Sequence, residues 1–105
     1  MVPLTANTLA IVKRLFPSSG ERAEVIRLLQ NDCSDNVWDR ATPAEMERLW
    51  FSALKVSNGA MEGLVHAVAE AQTDYRDLLM AAGFGLDVEA HRRWGEMMLR
   101  ERSGI

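Results

Sequence analysis

A chain of 105 residues, 48% hydrophobic and 26% charged, has the composition of an ordinary soluble globular protein, and its length suits a single domain, 1–105, built on one core. No apolar run approaches the ~20 residues that cross a bilayer. The opening Met1-Val2-Pro3-Leu4-Thr5 lacks the features of a signal peptide, and the single cysteine, Cys33, can form no internal disulfide, so a cytoplasmic protein is expected. The net charge of −3 is unevenly spread: residues 1–30 carry four basic and two acidic side chains, residues 91–105 the same, and residues 31–90 carry 4 basic and 11 acidic, a net of −7. Basic terminal helices packed beside an acidic centre account for this pattern, as does a basic face that meets an acidic partner. The overall acidity disfavours nucleic acid, because affinity for phosphate comes chiefly from clustered Lys and Arg.

Six helical segments follow in chain order. The first runs from about Asn7 to Phe16, with Leu9, Val12 and Phe16 on one face and Ile11 and Leu15 beside it, and Pro17 stops it. Ser18 and Glu21 have capping-box spacing and open a second helix to about Asp32, whose Val25, Ile26, Leu28, Leu29 and Cys33 recur as on a half-buried helix. Residues 34–41 are the longest irregular stretch, anchored to the core by Trp38. Thr42-Pro43-Ala44-Glu45 starts the third helix, which carries Met46, Leu49, Trp50, Ala53 and one of Leu54 or Val56 inward and ends at Ser57-Asn58-Gly59. The fourth, about Ala60 to Ala71, buries Met61, Leu64, Val65 and Val68. Thr73 or Asp74 caps the fifth, which buries Tyr75, Leu78, Leu79 and Ala82 and closes at Gly83, with Phe84 folding back on its last turn. Asp87 caps the sixth, which runs to about Arg102 through His91, Trp94 and Met98. Gly95 in its interior costs up to ~1 kcal/mol against Ala, which implies that another backbone passes close by. No segment alternates with period two, so the fold class is all-α, one compact bundle of about five to six short helices.

No catalytic constellation is visible: there is no Gly-x-Ser-x-Gly elbow and no phosphate-binding loop, and Gly83-Phe84-Gly85 is a helix stop rather than a dinucleotide site. No cofactor is expected. The two histidines, His66 and His91, each follow an acid by four residues (Glu62 and Asp87), which in principle builds half a metal site. Bundle metal sites use a Glu-x-x-His spacing of three, however, so structural histidines are the simpler reading and a metal protein or enzyme the alternative. Cys33 continues an apolar stripe as a small buried hydrophobe.

Trp50 and Phe51 are adjacent and point about 100° apart on a helix, so one is expected inward and the other at an exposed contact. The run Met97-Met98-Leu99 has the same property. Arg76 and Asp77 have no evident core role. Trp50, Phe51, Arg76, Asp77, Met97, Met98 and Leu99 are therefore the candidate interaction surface, although a wide buried face between two neighbouring helices also accounts for the apolar ones. Residues 60–85 have the length of a helix-turn-helix with a turn at Ala71-Gln72-Thr73-Asp74. Its reading helix would open with Asp74-Tyr75-Arg76-Asp77, whose two carboxylates are repelled by phosphate.

From Ala71 to Trp94, the run Ala-Gln-Thr-Asp-Tyr-Arg-Asp-Leu-Leu-Met-Ala-Ala-Gly-Phe-Gly, then Asp87-Val88-Glu89-Ala90-His91 and Trp94, resembles a group of small uncharacterised bacterial proteins. The resemblance covers about a quarter of the chain. It implies a bacterial cytosolic protein of all-helical fold and brings no activity. The leading expectation is a helical protein that works by contact with a protein partner or as a homodimer. A helix-turn-helix-like nucleic-acid-associated regulator is the alternative, and a metal protein or enzyme using His66 and His91 the second.

Overall fold

The computed structural model describes residues 2–101. Its elements are α1 (Ala6–Leu15), α2 (Ser19–Arg27), a π-helical turn (Leu28–Asp32), α3 (Pro43–Ser57), α4 (Met61–Ala82) and α5 (Ala90–Glu101). All regular structure among the described residues is helical, as expected. The fifth expected helix appears as the second limb of α4, which is broken at Asp74, and the sixth is α5.

The centre of the molecule is α3, whose middle, residues 49–54, is buried around the whole circumference. Its start carries a complete capping box: the Thr42 hydroxyl accepts from Glu45 N at 3.1 Å, and Glu45 Oε1 accepts from Thr42 N at 2.9 Å. Leu49, Trp50, Phe51, Ser52, Ala53 and Leu54 are buried without a break. Six consecutive residues at 100° each sweep the full circle, which a helix with a single packed face cannot bury. Helices α1, α4 and α5 all pack on it. The expectation that either Trp50 or Phe51 lies at an exposed contact is therefore corrected, since both are enclosed. Of the pair Leu54 and Val56, Leu54 is buried and Val56 exposed. Asn58 and Gly59, both left-handed, end the helix.

Helix α1 is capped by Thr5, a residue the periodicity does not point to. Its hydroxyl accepts from Thr8 N at 3.1 Å, lies 2.7 Å from the Thr8 hydroxyl and donates to Glu47 on α3. This network buries Thr8 and turns Leu9, expected inward, to the exposed side. Gln30 holds the segment before α1 with both ends of its amide, accepting from Leu4 N at 3.1 Å and donating to Val2 O at 2.9 Å. The expected capping box of α2 does not form, for the Ser18 side chain makes no cap hydrogen bond. In the exposed first turn of that helix, a Cβ added at Gly20 would meet nothing nearer than Ser18 Oγ at 3.9 Å. Gly20→Ala is expected to raise stability by about 0.4–1 kcal/mol by restricting the unfolded chain, read as a higher urea midpoint at unchanged slope.

The second helix reaches Asp32 as expected, but its last five residues form a π turn. The widened turn accommodates Trp50. A fully buried indole N–H needs an acceptor, and Trp50 Nε1 finds two, Leu29 O at 3.1 Å and Cys33 O at 2.8 Å. Gln72 and Asn36 donate to the neighbouring Asp32 carbonyl at 2.9 and 3.0 Å. Trp38 anchors the irregular stretch by stacking on Tyr75, with ring centroids 4.4 Å apart and planes 18° apart.

Asp74 breaks α4 with extended backbone (φ −160°, ψ 106°) and caps the second limb, its Oδ1 accepting from Arg76 N at 3.0 Å. Leu64, Ala67, Val68 and Ala71 of the first limb face the core, whereas Val65, expected inward, is exposed. Gly83 (φ 83°) ends the helix, with Gly83 N bonded to Met80 O at 3.0 Å and Phe84 N to Leu79 O at 2.8 Å. That pair of bonds is a Schellman motif. Two cations from α3 reinforce it: Lys55 Nζ donates to Ala82 O at 2.8 Å, and the Arg48 guanidinium donates to Phe84 O and, at 3.2 Å, to Gly85 O. Asp87 caps the turn that leads into α5, accepting from Glu89 N at 2.9 Å, so the helix begins at Ala90, slightly later than expected. Arg102, the expected end of this helix, lies outside the described residues.

Candidate functional site

Three features are candidates for function, and they adjoin where α5 meets α3 and the end of α4. The first is a cluster of four rings. Phe51 comes from α3, Phe84 from just past α4, and His91 and Trp94 from one face of α5. The His91 ring meets Phe51 and Phe84 edge-on at 5.8 and 6.3 Å between centroids, and Trp94 lies 5.7 and 6.1 Å from the same two phenyl rings. Lys55 Nζ sits 4.9 Å from the centre of the Phe84 ring. A Cβ built at Gly95 would stand 2.5 Å from Cε2 of Phe51. The close approach expected at Gly95 exists, but a side chain makes it and not a backbone.

His91 is the one titratable ring in this cluster. It is only 4% exposed, and neither ring nitrogen has a hydrogen-bond partner among the described residues. Burial holds it below the ordinary histidine value, with Arg48 and Arg92 adding to that effect and Glu47 and Glu89 opposing it. Asp87, four residues earlier, turns instead to Glu89 N and to Arg93, and its carboxyl is held low chiefly by Arg93. His66 lies exposed on α4. Among the described residues, no three or more His, Cys, Asp or Glu side chains are grouped to hold a metal ion. Cys33 is buried and its thiol is pushed up to about 12 by burial, which keeps it protonated and unreactive.

The second feature is an open cleft of about 850 Å³ beside the ring cluster. Phe51, Gly95 and Leu99 form its apolar wall, and Asn7, Glu47, Arg92, Glu96 and Arg100 supply polar groups of both signs. It presents no nucleophile with a base.

The third is apolar and exposed. Leu86 is 90% exposed, Val88 63% and Met80 55%, on the connection between α4 and α5 and the last turns before it. The connection is held firmly behind these side chains by the Schellman motif and by Arg48. A shallow groove of about 290 Å³ continues the surface, lined by the stacked Trp38 and Tyr75 with Leu79, Met80 and Gly85 between Arg48 and Arg76. Sequence periodicity does not find this patch, because Leu86 and Val88 lie between helices, where no period applies.

Of the residues expected to form an interaction surface, Trp50 and Phe51 are buried, and Met98 and Leu99 are half-buried against the core. Met97 alone of the methionine run points outward. Arg76 and Asp77 are exposed. Arg76 is committed locally: Nε donates to Asp74 Oδ1 at 3.1 Å and Nη2 to Oδ2 at 3.2 Å, an ion pair that fixes the kink of α4. A single non-helical residue joins the two limbs, where helix-turn-helix geometry uses a turn of three or four. The expected turn at residues 71–74 is thereby corrected to a kink. No helix of the described residues is long and apolar enough to cross a membrane.

Comparison with protein-family models, with curated proteins and with solved structures found no match.

Proposed function

We propose that this chain is a small helical protein of the bacterial cytosol that works by protein–protein contact, through the surface at Met80, Leu86 and Val88, and that a second copy of the chain occupies that surface. The single observation that carries the reading is a nearly fully exposed Leu86 on a connection whose backbone is clamped from behind. Exposed apolar side chains on a rigid support lose little conformational freedom on docking, which favours association. The resemblance of residues 71–94 and the lone buried thiol support the bacterial cytosol.

Charge supports the second copy. Asp77, Asp87 and Glu89 neighbour Met80, Leu86 and Val88 in the chain, and the exposed Arg93 and Arg92 of α5 pair with Asp87 and Glu89 beside them. Acidic and basic areas side by side on one surface become complementary when two copies meet across a two-fold axis. Sedimentation between about 1 and 500 μM tests this. A monomer–dimer equilibrium weakened by salt is expected, and the double variant Leu86→Asp/Val88→Asp is expected to weaken it at least tenfold, about 1.4 kcal/mol. Both positions are exposed, so the fold is expected to remain intact. A strict monomer across that range, or a dimer unchanged by the double variant, overturns the proposal.

A further inference from the structure

The helix that follows Leu86 and Val88 packs on α1 and α3, and one buried titratable group takes part in its docking. His91 stands between the edges of Phe51 and Phe84, and with Trp94 it is the part of α5 that touches both α3 and the end of α4. The docking of α5 is otherwise largely apolar, through Ala90, Trp94, Met98 and Leu99. A neutral imidazole fits such a place as an aromatic ring. A protonated one carries a charge and two N–H donors into a site where neither nitrogen has an acceptor among the described residues.

We propose that His91 is an acid-sensitive latch, whose protonation releases α5 from Phe51 of α3 and from Phe84 at the end of α4. The charged groups around it decide how sharply the latch responds. From α3, Glu47 attracts a proton to His91 and Arg48 resists it, while Arg92 of α5 resists it and Glu89, just before α5, attracts it. Lys55, also of α3, adds a further cation 4.9 Å from the centre of the Phe84 ring. Burial adds to the resistance and prevails, so the docked helix prefers neutral His91. Released into water, the ring takes up a proton at an ordinary histidine value of about 6.5. The sign follows from linkage. Docking is fully stable above that value and loses stability as pH falls from there towards the lower docked value, because the released state then binds more protons. Between pH 7 and pH 5 the ratio of released to docked α5 rises by up to about 25-fold if docked His91 stays neutral throughout.

The latch does not depend on what docks at Leu86, so its test uses the monomeric Leu86→Asp/Val88→Asp chain as well as the unaltered one. Labelling with 5-fluorotryptophan gives one fluorine signal each for Trp38, Trp50 and Trp94. Acidification from pH 7 to pH 5 is expected to move or broaden the Trp94 signal while that of Trp50, in the core, stays constant. His91→Phe keeps a ring in the cluster and is expected to abolish the pH response. His91→Leu does the same should the larger phenyl not be accommodated. A Trp94 signal unchanged down to pH 5, or an equal response in both His91 variants, overturns the latch. Persistence of the effect in the monomeric chain separates it from any change in self-association.

Discussion

Trp50→Ala is expected to be among the most damaging single substitutions in this chain, lowering the free energy of unfolding by about 3–5 kcal/mol. The side chain is wholly enclosed in the central helix, so its removal leaves a cavity that neighbours from several elements cannot fill together. A domain of this size has only about 5–15 kcal/mol of stability in all, so a large share is lost. Part of the effect is not packing. The indole N–H is shared between Leu29 O and Cys33 O, and those carbonyls belong to the turn that departs from α-helical geometry. Trp50→Phe separates the two contributions. It keeps most of the apolar volume but removes the donor, and is expected to cost about 1–3 kcal/mol beyond the packing change. Urea denaturation of both variants measures the difference. If Trp50→Phe proves as stable as the unaltered chain, the indole hydrogen bonds do not hold the π turn.

The second large effect concerns a substitution whose usual sign is reversed. Alanine in place of glycine inside a helix ordinarily gains up to about 1 kcal/mol, and Gly20 is expected to follow that rule. At Gly95 the same change is expected to cost about 1–3 kcal/mol through overpacking, because the new Cβ would lie 2.5 Å from Cε2 and 3.2 Å from Cζ of Phe51. Phe51 is buried and bounded by His91 and Trp94, so its ring has little room to retreat. The combined variant Phe51→Leu/Gly95→Ala is expected to recover part of the loss, giving a coupling of about 0.5–3 kcal/mol in a double-mutant cycle. Independent, additive effects would show that the two residues do not press on each other.

These two cases mark what can be read in a sequence and what cannot. The helix boundaries were largely legible: Thr42 to Glu45 encodes a cap, Gly83 a left-handed stop and Asp74 the start of a new limb, because each acts through backbone groups within a few residues of itself. Gly95 announced a close approach but not its partner, since only folding brings Phe51 against it. The candidate site was less legible. A stripe of period 3.6 predicts one inward face, and it fails where a helix is enclosed on every side, so one of Trp50 and Phe51 is expected at an exposed contact although both lie in the core. Leu9 and Val65 fail in the opposite direction: each continues an apolar pattern, but each faces water once neighbouring helices take their positions.

By itself, then, the sequence determined the elements of an all-helical domain and where most of them begin and end, through local hydrogen bonding, backbone preference and apolar periodicity. Tertiary structure decided which helix became the centre, how the end of the second helix widened to receive an indole, and that His91 came to rest between phenyl rings with no hydrogen-bond partner among the described residues. Those outcomes depend on contacts between residues distant in the chain, as Trp50 is from Leu29 and His91 from Phe51. The energies of such contacts arise only when the chain has closed on itself.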